Sequence, residues 1–352
     1  MKILVVGGGG REHAILWRLS KDAEKHELFA APGNAGTRSI ATNLPIGAED
    51  VPAIVEWAAK EKPDLVVVGP EAPLVAGVVD ALAEKGIPAF GPVAAGAEVL
   101  IEEFLDGEEC SILAMTDGET VVLLPGSQDH KRIFDGDKGP NTGGMGAYSP
   151  APVVTDAMLP EIKEKIVIPV VRELARRGIV YRGILYAGLM VTPEGGRVAS
   201  SGSRVNVVEF NARFGDPETE AVLPRLGGDF SKALFNAATG RLSESDIVVK
   251  DVMAATVIAS SAGYPGKYEK GKKISGLGRE KDNAIVFHCG TKASADGGIE
   301  TSGGRVLSAT GLGATLREAV DAAYAALSEI SFEGMFFRRD IAHRAFGREG
   351  AK

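Results

Sequence analysis

The chain opens with short apolar runs alternating with amphipathic stretches. Ile3-Leu4-Val5-Val6 leads into Gly7–Gly10, and Glu12–Lys21 follows with Ala14, Ile15 and Leu19 on one helical face. A second apolar run, Leu28-Phe29-Ala30-Ala31, stops at Pro32-Gly33-Asn34-Ala35-Gly36. The spacing then predicts a helix over Val51–Glu61, a strand at Asp64–Val68, a helix over Leu74–Lys85 and a strand at Pro88–Phe90. Continuous β-branched runs separated by helices predict a parallel sheet, buried on both faces.

Further along, the pattern changes to pairs of strands around turn signals. Ser111–Met115 and Thr120–Leu124 flank Asp117-Gly118, and Gly183–Val191 and Arg204–Phe210 flank Pro193–Gly196. Between the hairpins lie a glycine-rich loop, Gly126–Pro150, and a helix within Ala157–Arg177. Helices are expected over Pro217–Leu226 and Phe230–Ala238. After about Ile247, strands at Val252–Ala259, Ala284–His288 and Arg305–Ala309 join a helix over Thr315–Ile330. The fold class is therefore α/β and α+β. A doubly wound parallel sheet spans 1–92 and a short junction spans 93–100. An α+β unit is expected over 101–245 and a small C-terminal α+β domain over 246–352.

Composition narrows the function classes. With 39 Lys+Arg against 47 Asp+Glu the net charge is −8, and no basic run stands out, which argues against a nucleic-acid partner. No apolar stretch approaches ~18 residues and no signal peptide precedes the first strand, so neither a membrane span nor export is expected. Two cysteines give no disulfide framework, which fits a cytoplasmic compartment. Glycine, at 45 of 352 residues or about 13%, exceeds the ~7% of average usage and points to tight loops near ligands.

Four glycines between a strand and a helix place backbone N–H groups and a helix N-terminus at one point, which suits an anion. The dinucleotide spacing G-x-G-x-x-G is not met. Its third glycine falls on Glu12 or His13, and the second strand ends without an acidic ribose ligand. A phosphorylated metabolite is favoured over a nicotinamide cofactor, with Arg11 at the loop mouth. Gly266–Lys273 meets Walker A spacing but puts Lys273 where a hydroxyl is needed, and reads as a charged turn. His13, His26, His288, His343 and Cys110 read as packing or exposed residues. In 207–218, strand geometry places Glu209, Asn211 and Arg213 on one face and Val208 and Phe210 on the other. A carboxylate and an amide two residues apart suit Mg²⁺, and an Arg beyond them suits the charge of phosphoryl transfer. Read alone, E-x-N-x-R favours an amphipathic edge strand with its polar face in water.

Six segments together resemble one family. They are Gly8–His13, Pro32–Thr37, Gly69–Leu74, Ser127–Arg132, Gly139–Pro150 and Glu209–Glu218, in order along nearly the whole chain, as far as Gly303–Leu307. They are similar to the phosphoribosylamine–glycine ligases, ATP-grasp enzymes of purine synthesis. The resemblance implies that ATP phosphorylates glycine and that 5-phosphoribosylamine attacks the glycyl phosphate, giving glycinamide ribonucleotide. It implies Glu209 and Asn211 as ligands of Mg²⁺ or Mn²⁺, and Arg213, Asp129 and Lys131 as catalytic groups. It implies Gly9, Gly10, Arg11, Asn34, Gly69, Glu71, Gly143, Gly144 and Met145 as substrate-binding, and Glu102, Leu105 and Glu109 as ATP-binding. A monomer acting on small molecules is expected. The alternatives are another ATP-grasp purine enzyme, such as a carboxylase, and a binding module without turnover.

One departure is expected to matter. The family's ATP-covering lid lies between the equivalents of Gly91-Pro92 and Ile101–Gly107, where only Val93–Leu100 stand here. No Lys or Arg occurs between Lys85 and Lys131. Either the natural protein carries a lid that these residues leave out, or the lid has been deleted. The first is the expectation, because lids come from the low-stability end of a structure. A true deletion predicts a folded chain with little ligase activity.

Overall fold

A computed structural model describes residues 1–92, 105–192, 204–279 and 282–347. The junction 93–100, with the lid question attached to it, lies outside them. The first unit is a five-stranded sheet in the order β3-β2-β1-β4-β5, built from β1 (Lys2–Gly7), β2 (Glu27–Pro32), β3 (Thr42–Asn43), β4 (Leu65–Val68) and β5 (Ala89–Phe90). Every pairing is parallel. Alternate residues of β1 feed opposite cores. Ile3 and Val5 meet Ala14, Ile15 and Leu19 of α1 (Gly10–Ser20). Leu4 and Val6 meet Ile54 and Ala58 of α2 (Val51–Glu61). The doubly wound reading therefore holds, and the glycine loop after β1 stands where the strand order reverses, the position at which such sheets bind ligands.

The helix expected over Leu74–Lys85 is two short ones, α3 (Glu71–Val75) and α4 (Val78–Ala83). Gly77 breaks it at φ +80°, a left-handed turn that glycine accepts without steric cost.

A four-stranded antiparallel sheet follows, ordered Val205–Asn211, Gly183–Val191, Glu108–Thr116, Val121–Leu123. Both expected hairpin pairs form within it. Cys110 is fully buried in the core on one face, which also holds Ile162, Val167 and Val171 of the helical stretch from Leu159 to Arg176.

The segment 126–150, expected to be loop, contains strands. Gln128–Asp129 and Gly146–Ser149 extend a sheet completed by Met253–Ser261, Arg305–Gly313 and Ala284–His288, and Met335–Phe336 pairs with Met253–Ser261. Glycine in this segment permits close approach rather than irregularity, because a Cβ on Gly146 would stand 2.6 Å from the Thr256 carbonyl oxygen. The segment 126–150 is thereby sewn to the C-terminal strands. The helix Leu316–Ser328 covers that sheet and begins with a capping box between Thr315 and Glu318. Among the described residues, no helix is long and apolar enough to cross a membrane.

Candidate active site

Val205–Asn211 is an edge strand, as its amphipathic pattern allows. Its pairing with Gly183–Val191 is irregular where Gly188 faces Glu209 but Leu189 already faces Val207. A Cβ on Gly188 would meet Glu209 Cγ at 2.9 Å, so glycine clears the path of that side chain. The strand ends at Asn211. Arg213 lies beyond it, in a turn rather than on the alternating face its spacing predicts, and Phe210 is partly exposed. Even so, Glu209, Asn211 and Arg213 line one cavity of about 170 Å³ together with Asp129, Lys131 and Gly143. Four further residues complete the wall: Thr142, Tyr186, Asp216 and Glu218.

The cavity crowds carboxylates. Asn211 Nδ2 donates to Glu209 Oε1 at 3.1 Å. Glu218 Oε1 accepts from Ser111 Oγ at 3.0 Å and from the Tyr186 hydroxyl at 2.9 Å. Burial, and then Glu218, push the Asp129 carboxyl up to about 7, against the pull of Lys131. Lys131 pairs with Glu109. Burial alone would lower the Lys131 ammonium, but Asp129 and Glu109 outweigh it and hold it above its usual value. Burial, followed by the Glu218 charge, raises the Tyr186 phenol.

The glycine loop lies next to this cavity. A Cβ built on Gly9 would stand 3.8 Å from Asp216 Oδ2. Arg11 is turned inward rather than standing at an open mouth. Its Nε donates to Glu12 at 2.6 Å and its Nη1 to the Phe214 carbonyl at 3.1 Å. Asn34 Nδ2 donates to the carbonyls of Gly8, at 3.0 Å, and His288, at 2.7 Å. The His288 amide donates to His13 Nδ1 at 2.8 Å, and burial, aided by His288, drops the His13 imidazole to about 3. A Cβ on Gly10 would meet Glu220 Oε1 at 2.4 Å, and one on Gly69 would meet Glu12 Oε1 at 2.1 Å. Both glycines therefore permit close packing.

The other expected residues divide. Glu71 is exposed at the start of α3, and Leu105 is half-buried. Glu102 lies outside the described residues. Gly144 adopts φ +107° against Pro217. Met145 is fully buried, and its amide donates to the His130 carbonyl at 2.8 Å. Sequence reasoning missed Tyr186, Asp216 and Glu218. The acidic pair around Pro217 was a usable signal inside the segment 209–218, whereas nothing in the apolar strand Gly183–Val191 marks Tyr186. His130, Asp137 and His343 also cluster within metal-ligating distance. Arg338 and Arg344 bind the same Asp137 carboxylate, at 2.9 and 2.8 Å, which already supplies its positive partners.

The known proteins that this chain resembles can be set beside that geometry. Residues 1–100 match the N domain of phosphoribosylglycinamide synthetase, 66–219 its ATP-grasp (A) domain and 254–344 its C domain. The chain belongs to the phosphoribosylglycinamide synthetase family. A phosphoribosylamine–glycine ligase from Salmonella typhi is 39% identical over 435 residues, with 99% of this chain and 100% of the relative covered. That alignment exceeds the chain by 435 − 352 = 83 positions, so at least 83 positions of the relative have no counterpart here. The crystal structure of a phosphoribosylamine–glycine ligase from Thermotoga maritima superposes with a TM-score of 0.79 at 28% identity, covering 97% of this chain and 100% of that one. A biotin carboxylase from Campylobacter jejuni shares the fold at TM-score 0.67 and 11% identity, covering 99% of this chain and 95% of its own. The phosphoribosylglycinamide synthetase family is an ATP-grasp ligase family, and the cavity lies within the segment that its A domain matches.

Proposed function

We propose that the chain ligates glycine to 5-phosphoribosylamine with ATP, through glycyl phosphate, yielding glycinamide ribonucleotide, ADP and phosphate. The observation that carries this reading is the single cavity holding Asp129, Lys131, Glu209, Asn211 and Arg213 in a chain that matches all three domains of the family. In the first step a glycine carboxylate oxygen bonds to the γ-phosphorus as the bond to the leaving ADP oxygen breaks. In the second the amine nitrogen bonds to the acyl carbon, the carbon–oxygen bond to phosphate breaks, and the nitrogen gives up a proton.

Arg213 and Lys131 neutralise charge on the transferred phosphoryl group, and Asp129 and Lys131 face the substrates. Glu209 and Asn211 would hold Mg²⁺ or Mn²⁺, hard cations suited to the oxygen-rich wall, and the ion would supply further charge neutralisation when bound. The backbone at Gly9 and Gly10 would face the ribose phosphate, with Asn34 fixing the loop and Glu71 at its outer rim. Leu105 and Glu109, with Glu102, would lie on the ATP side. A cytoplasmic location and a monomeric state belong to the same proposal.

Relatives matched over nearly all of the chain do not favour a binding module without turnover. The test is direct. The purified chain is supplied with ATP, glycine and freshly formed phosphoribosylamine. Glycine-dependent ADP release and the mass of glycinamide ribonucleotide are expected. ADP release indifferent to glycine, with no product, would sink the reading. Calorimetry showing tight product binding and no ATP binding would move it to the module.

A further inference from the structure

Gly143, on the cavity wall, has both of its backbone polar groups taken by side chains from far along the sequence. Its amide donates to the Tyr264 hydroxyl at 3.0 Å and its carbonyl accepts from Arg305 Nη1 at 2.6 Å. Arg305 Nη1 also donates to the Asp216 carbonyl at 3.0 Å and pairs with the Asp216 carboxylate at 2.9 Å. The fit is close. A Cβ on Gly143 would stand 3.2 Å from the Arg305 guanidinium carbon and 3.4 Å from the Tyr264 hydroxyl. Tyr264 approaches from behind. It lines a separate, largely apolar cavity of about 640 Å³ with Phe134, Pro140, Pro265 and Phe336, and it is not among the residues lining the site cavity.

Gly143 and Gly144 are adjacent glycines, the residues with the most backbone freedom to lose. Left to themselves they would populate several orientations, and a site competent in only a fraction of molecules binds its ligand more weakly by that fraction. We propose that Tyr264, acting with Arg305, is a positioning residue that holds the Gly143 peptide in one orientation beside the substrates. The chemistry this orientation serves rests on the ligase reading above; the latch itself does not.

Tyr264→Phe removes the hydroxyl and keeps the ring that walls the apolar cavity. In the variant without ligands, the Gly143 amide is expected to exchange with solvent roughly 5-fold faster, the worth of about one net hydrogen bond. Exchange at Val257 and Ile258 in the neighbouring strand should stay unchanged. In turnover, the KM for glycine or phosphoribosylamine should rise by a similar factor, with the KM for ATP and the melting temperature unmoved. Arg305→Met, which frees the carbonyl and Asp216 together, should speed the same exchange further. Unchanged exchange at Gly143 in Tyr264→Phe would overturn the proposal. So would a loss in which all KM values and the melting temperature move together, since that marks ordinary structural support. A wild-type chain that makes no product removes the ligase reading and leaves the latch to be judged by exchange alone.

Discussion

The glycine loop and the acidic cavity beside it are built on opposite principles. At the glycine loop, side chains that could meet a ligand are satisfied internally: Arg11 by Glu12 and Phe214, Asn34 by Gly8 and His288, His13 by the His288 amide. At the acidic cavity, Asp129, Glu209, Asp216 and Glu218 crowd one space with fewer cations than carboxylates, and burial, then the Glu218 charge, push Asp129 up to about 7. The difference separates a joint from a charged pocket. The joint ties the N-terminal sheet to the backbone at Phe214 and at His288. The cavity holds unfavourable like-charge contact that a cation entering it would relieve.

That contrast can be broken on either side. The largest effect is expected at Arg11. Replacing it by Ala leaves Glu12 buried without its cation, so unfolding free energy should fall by about 3–5 kcal/mol. Chemical denaturation measures this, and an unchanged midpoint with only a raised KM for phosphoribosylamine would make Arg11 a ligand instead of a joint. Next is Glu209→Ala, for which turnover should drop ~10²–10³-fold, comparable to losing one preorganised electrostatic contact. Glu209 is exposed, so its melting temperature should hold. A parallel loss of stability would refute the division of labour.

A smaller effect concerns pH. Asp129 binds its proton more tightly folded than unfolded, so its contribution to stability is complete below the ordinary carboxylate range, near pH 4, and is lost as pH rises through about 7. Melts across pH 4–8 should show this decline, on the order of 2 kcal/mol, and Asp129→Asn should flatten it. A slope identical in the variant would assign the titration elsewhere. The smallest effect is at Glu220. Its carboxyl is fully buried, neither oxygen has a hydrogen-bond partner among the described residues, and burial, then Asp216, raise it well above its usual value. Glu220→Gln should therefore raise the melting temperature by about 2 °C at pH 8, the equivalent of about 1 kcal/mol, and have less effect at pH 4. A fall at pH 8 would show that the charged form is the native one.

Much of the architecture was legible because burial on two faces leaves a simple signature. Ile3–Val6 and Leu65–Val68 could hardly be anything but central strands, and Val51–Glu61 forms its helix with the bounds its pattern indicates. That Glu209 and Asn211 share one face of a strand and reach one cavity was legible from alternation. Arg213 was not, because the strand stops before it and a turn, not the pleat, brings it to the cavity. The segment 126–150 misled because glycine marks both loops and close strand contacts, and only the facing backbone at Thr256 distinguishes them.

Local pattern determined the strands and helices of the parallel sheet, the glycine loop after its first strand and the placing of Glu209 and Asn211 at alternate positions, since each depends on neighbours within a few residues. Tertiary structure decided that Arg11 turns inward, that Tyr186 and Glu218 join Asp129, and that Tyr264 grips Gly143. Those are encounters between residues 32 to 203 positions apart. Their energies come from desolvation and mutual charge, which exist only after the chain has closed around them.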